Sequence, residues 1–169
     1  MAGVEATPLP LGISGLFEAR ISRLPDIERV VLQRVAVSGP LCWDSAILEA
    51  ETAIDTSGAD IEAALLSLEM KRYLIRDDSY SFGATQAYAF QRDTVRETVY
   101  RSVPESRRRE LHLEAAHWLI ANENGTRPGG WLPFDTMIAQ HFALAGDTER
   151  GKAHQRRSSL AEFDPQMPI

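Results

Sequence analysis

The sequence predicts a mostly α-helical fold in two parts. Three helices and a β-hairpin come in the order of a winged helix, and tetratricopeptide-like helix pairs follow them. Two observations predict this division. Apolar residues recur at helical spacing over most of the 169 residues. Between Tyr73 and Phe90 the period changes, and apolar and polar residues alternate as they do in short strands.

Four segments before the hairpin are predicted to be helices, over about 12–24, 25–38, 43–51 and 59–72. Leu24-Pro25 separates the first two, because the residue before a proline avoids the helical conformation. Gly39-Pro40 ends the second helix, since glycine suits the position after a helix and proline prevents its continuation. The apolar face of the fourth helix is predicted to consist of Ile61, Ala64, Leu65 and Leu68.

The hairpin is predicted from a β-prone run, Tyr73-Leu74-Ile75, followed by a polar turn over 77–79. Tyr80 and Phe82 then alternate with polar residues, and Tyr88 and Phe90 lie on either side of Ala89. We therefore expect short strands joined by a loose tip.

Helical spacing returns after Phe90, with Val95 and Val99 on one face and a break at Ser102-Val103-Pro104. A longer helix then opens at Pro104-Glu105, and glycines and prolines over 124–130 predict a loop. A further helix starts near Pro133, Gly146-Asp147 closes it, and a last helix begins near Thr148. Because independent stability usually needs three repeats, we expect this to be the start of a longer array.

The resulting division has five parts. Residues 1–9 are a flexible tail, 10–24 a helix (lid-type by the resemblance described below), 25–103 the winged-helix domain, 104–163 the start of the helical-repeat region, and 164–169 a second tail. The aromatic residues are expected mainly to anchor the core; they are Trp43, Phe90, Tyr100, Trp118, Trp131 and Phe142.

Composition narrows the functional classes. Hydrophobic residues make up 44% and charged residues 25% of the chain, and the net charge is −6. An acidic domain lacks the electrostatic source of non-specific nucleic-acid binding. Cys42 is the one cysteine and cannot form an internal disulfide, and no apolar run reaches the length of a membrane span. The start of the chain does not read as a signal peptide. We therefore expect a soluble, cytoplasmic protein.

Sequence motifs for catalysis are absent. The chain contains no P-loop, no G-x-G-x-x-G, no H-E-x-x-H, no G-x-S-x-G and no C-x-x-C. His112 and His117 are five residues apart and point to different faces of one helix, so we expect no metal site. His141 is expected to be partly buried, and the other histidines to be solvated. Asp77-Asp78 and the Asp26/Glu28 pair are explained by turn formation and by the helix dipole. The sequence therefore predicts a non-enzyme without catalytic, cofactor-binding or metal residues.

The most basic segment is Arg101 together with Arg107, Arg108 and Arg109. One interpretation is a patch for phosphate or for an acidic partner surface. The alternative, which we favour, is a solvated helix flank whose arginines pair with Glu105, Glu110 and Glu114.

A winged-helix order also suggests a DNA-binding transcription regulator. The candidate recognition helix over 59–72 argues against it, because its exposed positions include Asp60, Glu62 and Glu69, and Lys71 and Arg72 come only at its end. Base reading needs basic or amide side chains near the start of that helix. We therefore expect a protein-contact surface, with DNA binding as the alternative function.

Five segments together resemble the region that follows the nucleotide-binding core in bacterial STAND-type, AAA-related signalling ATPases. These multidomain regulators are linked to adenylate/guanylate cyclase domains or to LuxR-type DNA-binding domains. The segments are LFEARISRLP over 16–25, ERVVLQRVAVSGPLCW over 28–43, LLSLEMKRYLI over 65–75, FQRDTVRETVYRSV over 90–103, and the pair formed by 108–119 and IAQHFALAGD over 138–147. Arg72 replaces a glycine of the family pattern, and Arg92 replaces a histidine.

The resemblance covers about residues 10–155 and implies a regulatory and interaction module. Such a module packs against the nucleotide-binding core and relays its state to effector or repeat domains. The ATP-binding core has no counterpart here, so no ATPase residue is transferred. The resemblance implies protein partners, namely the nucleotide-binding core and further helical repeats. The acidic recognition helix and the lack of a long apolar run lead us to expect neither nucleic acid nor membrane as a partner. Because those partners would cover apolar faces of a fragment, we also expect self-association.

Overall fold

A computed structural model describes residues 13–49, 57–81, 84–122 and 134–161. These residues form a mostly helical structure with one small antiparallel sheet. The helices are α1 Ile13–Ile21, α2 Asp26–Ser38, α3 Asp44–Glu49, α4 Gly58–Met70, α5 Asp93–Ser102, α6 Glu105–Asn122, α7 Phe134–Ala145 and α8 Thr148–Ala161. The strands are β1 Cys42–Trp43, β2 Leu74–Arg76 and β3 Ala87–Phe90. The two predicted tails, Trp131, Phe82 and the predicted loop over 124–130 lie outside the described residues.

The sheet has the order β1-β3-β2, with β3 in the centre. On one side Leu74 pairs with Phe90 and Arg76 with Tyr88. This pairing confirms the expected hairpin. On the other side Cys42 pairs with Tyr88. The two-residue strand β1 was not predicted, since so short a segment carries no periodicity.

The prediction that Tyr80 continues an alternating strand was wrong. Residues 78–80 form a single 3₁₀ turn instead. The Asp77 side chain accepts a hydrogen bond from the backbone N–H of Ser79 at 3.0 Å, and this local bond favours a turn over a strand. The carbonyl of Tyr80 then accepts a hydrogen bond from the Trp43 indole at 2.9 Å. This hydrogen bond attaches the turn to β1.

The end of α4 has an unusual backbone at Arg72, whose φ is +60°. The N–H of Arg72 bonds the carbonyl of Glu69, and the N–H of Tyr73 bonds the carbonyl of Leu68. This is the Schellman arrangement, in which glycine is the usual residue at the left-handed position. The helix α7 ends the same way with glycine at that position, Gly146, whose φ is +92°. Arg72 therefore adopts a left-handed backbone conformation that glycine would adopt with less steric strain.

The main core lies between α1, α2, α4, α5 and the sheet. Its most buried members share aliphatic side chains and come from α2, α3, α4, β2 and α5. They are Val31, Leu32, Val35, Ile47, Ile61, Leu65, Leu68, Leu74 and Val99. The predicted apolar face of the fourth helix is therefore confirmed.

A second core joins the sheet to α6 and α7. The Trp43 ring stacks on Trp118 at a centroid distance of 5.2 Å and on Phe134 at 6.0 Å. Ile138 and Phe142 complete this cluster and are fully buried. Burial of three large rings in one cluster stabilises the junction, so the C-terminal helices pack directly on the sheet.

A polar link reinforces the same junction. Arg34 of α2 is buried, and its Nη1 donates to Glu114 of α6 at 2.7 Å. Its Nε and Nη2 have no hydrogen-bond partner in the described residues. A cavity of about 20 Å³ beside Arg34 has room for one water, which would satisfy such donors.

The helices α7 and α8 pack closely where α8 carries Gly151. A Cβ at Gly151 would lie 3.1 Å from the Ala139 carbonyl oxygen, so only glycine fits without a shift. The exposed positions over 150–159 are mainly polar, with Lys152, Gln155 and Arg156 among them. No described helix is long and apolar enough to cross a bilayer.

Candidate functional site

A cavity of about 330 Å³ lies where the end of α2 meets α5, α6 and α7. The turn after α2, which contains Gly39 and Pro40, lines this cavity. Gly39 has a φ of +105°, a backbone conformation that side-chain-bearing residues rarely adopt. The predicted stop signal at Gly39-Pro40 thus shapes one wall of the cavity.

Three polar side chains from three helices line the cavity as a connected chain. The Tyr100 hydroxyl lies 3.0 Å from Nε2 of His112. Nδ1 of His112 lies 2.9 Å from Nδ1 of His141, and both imidazoles are buried. His141 also hydrogen-bonds the main chain of Ser38 at the end of α2. This hydrogen-bonded chain of side chains therefore links the end of α2 to α5, α6 and α7.

One set of proton positions satisfies every member of this chain. A neutral imidazole has one N–H donor and one acceptor nitrogen. Since the bond to Ser38 favours the protonated ring, His141 donates there and accepts from His112 through Nδ1. His112 then accepts from the Tyr100 hydroxyl through Nε2. Both histidines are accordingly neutral and of defined tautomer.

Burial supports the neutral state. Burial lowers the pKa of His112 to about 4, with a smaller contribution from the positive charge of Arg108. Burial also lowers the pKa of His141 to about 4, assisted by the neighbouring His112. The imidazoles therefore act as hydrogen-bonding groups at neutral pH, without positive charge.

The histidine pair is not arranged as a metal site. Two imidazoles bound to one tetrahedral zinc ion place their nitrogens about 3.3 Å apart, whereas these lie 2.9 Å apart, a hydrogen-bond distance. Within the described ranges no group of three or more histidine, cysteine or acidic side chains could hold a metal ion. The chemistry available here is hydrogen bonding.

Arg96 of α5 also lines the cavity and brings a positive charge to it. Its Nε is buried and makes no hydrogen bond among the described residues. The nearest described carboxylate is that of Asp93, 3.9 Å away, and the Asp93 side chain is 90% exposed. An ion pair this long, with an exposed carboxylate, contributes little to stability. The Arg96 guanidinium therefore still has N–H groups that can donate to another acceptor.

The structure corrects the prediction for His112, which was expected to be solvated. Its ring is buried against His141, because α6 and α7 pack side by side. His141 was expected to be partly buried, and the structure buries it more deeply, with 6% of its surface exposed. His117 is exposed and lies 3.3 Å from Arg150, whereas His154 is half-buried beside Asp135.

The arginine cluster follows the favoured interpretation. Arg107 pairs with Glu110 at 2.7 Å and lies 3.5 Å from Glu114, and Arg109 pairs with Glu105. Arg108 instead lies over the Tyr100 ring at 5.0 Å. Arg101 pairs with Glu97 at 3.1 Å. The cluster is therefore largely neutralised by its own helices.

The exposed face of α4 is the second candidate surface. Leu66 and Met70 are one helical turn apart and are 51% and 72% exposed. Ala59 and Ala63 continue the same stripe toward the start of the helix, and Asp60 and Glu62 flank it, all four of them exposed. This surface is apolar and acidic.

Other residues considered in the sequence have local roles. Glu28 is buried and accepts hydrogen bonds from Ser67 at 2.9 Å and from Lys71 at 2.6 Å, so it ties α2 to α4. Asp77 forms the 3₁₀ turn. Burial raises the pKa of the Cys42 thiol to about 11, which keeps it protonated and unreactive.

Sequence reasoning missed the contacts of Tyr100, His112 and Arg34, because each depends on how one helix packs against another. Tyr100 and His112 are 12 residues apart, on either side of the helix break at Pro104. This short separation was the one sign in the sequence that the two side chains could meet. Comparisons of this chain with protein families, with curated proteins and with solved structures find no match.

Proposed function

We propose that this chain is a non-catalytic interaction module of a STAND-type signalling ATPase, and that it relays the nucleotide state of the core to effector or repeat domains. In this proposal residues 25–103 are a winged helix and residues 104–163 begin a tetratricopeptide-like array. The order of α2, α3 and α4 followed by the β2–β3 hairpin supports the first assignment. The close packing of α7 on α8 at Gly151 supports the second.

The exposed stripe on α4 carries the proposal. Large exposed apolar side chains that adjoin one another mark contact surfaces for other proteins. Leu66 and Met70 would fill an apolar groove, and Asp60 and Glu62 would face basic residues at its rim. A nucleotide-binding core with a basic-rimmed groove therefore fits this surface.

The packed junction between the sheet, α2, α6 and α7 supports a relay. The stacked rings of Trp43, Trp118 and Phe134 connect the sheet to α6 and α7. The ion pair of Arg34 with Glu114 connects α2 to α6. Because Glu28 also links α2 to Lys71 at the end of α4, a displacement of α4 would be carried to the C-terminal helices.

DNA binding is the weaker proposal. The first turns of α4 expose Asp60 and Glu62 where a recognition helix presents base-reading side chains. Negative charge at that position repels the phosphate backbone. The nearby basic residues are already paired, because Lys71 lies 2.6 Å from Glu28 and Arg76 lies 3.0 Å from Glu69.

Site-specific photo-crosslinking tests the proposal. A photoreactive residue is placed at Leu66 of α4 and, as a matched control, at Leu144, a leucine of similar exposure on α7. We expect position 66 to form an adduct with a P-loop domain, on the same polypeptide or a separate one, in a yield that differs between ATP and ADP. We expect no such adduct from position 144.

Two results would overturn the proposal. One is the absence of a nucleotide-dependent adduct from position 66 while the chain remains folded. The other is salt-sensitive binding of duplex DNA by the folded chain, measured by fluorescence anisotropy.

A further inference from the structure

The cavity at the end of α2 has the properties of a small-molecule site. Its volume of about 330 Å³ lies within the range of ligand pockets in proteins. It is lined by polar side chains, among them Arg96 and Tyr100, and by the apolar residues Pro40, Met137 and Leu144. Leu144 is 45% exposed, so a ligand that covers it would remove apolar surface from water.

The charges around the cavity select the ligand. Among the described residues that line it, Arg96 is the one with a charged side chain, and no carboxylate lines it. The two neutral histidines already use their ring nitrogens in the Tyr100–His112–His141–Ser38 chain. A cationic ligand would therefore find no counter-ion, whereas an anion would find Arg96.

We infer that this cavity binds a small organic monocarboxylate with an apolar body. Its carboxylate accepts hydrogen bonds from the Arg96 guanidinium, and its apolar part lies against Met137 and Leu144. One guanidinium matches one planar carboxylate, which favours a single negative charge. The inference does not depend on the α4 surface, which contributes no residue to the cavity.

The bound ligand would join helices of both parts of the chain. Arg96 belongs to α5, whereas Met137 and Leu144 belong to α7. A ligand that binds only when these helices are correctly packed stabilises the folded chain by mass action. Ligand binding is therefore expected to raise the unfolding temperature.

Titration with benzoate, followed by two-dimensional amide NMR and by thermal unfolding, tests the inference. Benzamide, which has the same shape without the charge, is the matched control ligand. We expect saturable shifts of amides in α5 and α7 with a dissociation constant of about 1 mM or tighter. Benzamide should bind at least about tenfold more weakly, because it loses the charged hydrogen bonds to Arg96.

Two variants locate the bound benzoate. Arg96→Gln should weaken binding about tenfold or more. Arg101→Gln, on the same helix but exposed and paired with Glu97, should leave binding unchanged. If Arg96→Gln proves unfolded by circular dichroism, Leu144→Asp provides a second test, since it adds a negative charge at an exposed position of the lining.

The inference is overturned by any of three results. These are a dissociation constant for benzoate weaker than about 1 mM, equal binding of benzamide, and unchanged binding by a folded Arg96→Gln variant or, if that variant is unfolded, by Leu144→Asp.

Discussion

Nδ1 of His112 lies 2.9 Å from Nδ1 of His141, although 29 residues separate them along the chain. The two buried rings, with Tyr100 and Ser38 at either end, connect the last turn of α2 to α5, α6 and α7. A polar chain of this kind stabilises the fold only while each imidazole keeps its single proton.

Acid is therefore expected to destabilise the protein before most carboxylates titrate. Both histidines have a pKa of about 4 in the folded chain and of 6.5 as the ordinary value. Between these values the unfolded chain binds more protons, so the free energy of unfolding falls as the pH falls from 6.5 toward 4. We expect a loss of about 2 kcal/mol or more between pH 7 and pH 5.

Urea unfolding at a series of pH values measures this loss. A His112→Gln, His141→Gln double variant, which cannot titrate there, should show a much flatter dependence. An equally steep dependence in the double variant would contradict the prediction.

The buried Arg34 is expected to make Glu114 necessary for stability. Glu114→Gln removes the counter-charge of a buried guanidinium and should lower the free energy of unfolding by about 3 kcal/mol. The double variant Arg34→Met, Glu114→Leu should recover most of the loss, because an apolar pair needs no counter-charge. Glu110→Gln is the control, since Glu110 pairs with Arg107 at the surface and should cost less than about 0.5 kcal/mol. Equal costs for Glu114→Gln and Glu110→Gln in chemical denaturation would contradict this account.

Replacement of Arg72 by glycine is expected to stabilise the chain. Arg72 has a φ of +60°, a left-handed conformation that glycine adopts without the steric cost of a Cβ. The free energy of unfolding of Arg72→Gly should rise by about 1 kcal/mol. Lys71→Gly is the control, because Lys71 is right-handed helical and also loses its bond to Glu28. It should destabilise the chain, and a loss of stability in Arg72→Gly would show that the arginine side chain makes a necessary contact.

The stacked rings of Trp43 and Trp118 are expected to give a coupled indole signal. Their centroids lie 5.2 Å apart and their planes differ by 22°. Because exciton coupling needs both indoles, Trp43→Phe and Trp118→Phe should each remove the exciton band from the circular dichroism spectrum. Trp118→Leu should also lower the free energy of unfolding by about 2 kcal/mol, as ring burial and stacking are lost. A band that survives either phenylalanine variant would mean that the stack does not form in solution.

The sequence by itself determined most of the helices and their ends, because those signals are local. Pro25, Pro104 and Gly146 act within one or two turns of the chain, and the apolar spacing of α4 correctly identified its buried face. It also indicated the hairpin, since alternation is visible over a few residues. It placed Tyr80 in a strand wrongly, because the Asp77 side chain competes for the backbone there.

Only the tertiary structure decided which polar residues meet. His112 pairs with His141, and Arg34 with Glu114, across 29 and 80 residues. The pairing of β1 with β3 has the same character, since Cys42 and Tyr88 come together only when the core has formed. Helical spacing says which face of a helix is apolar, but the partner on that face depends on how the helices pack. The cavity beside Arg96 exists for the same reason, because the end of α2 meets α5, α6 and α7 only when the helices pack.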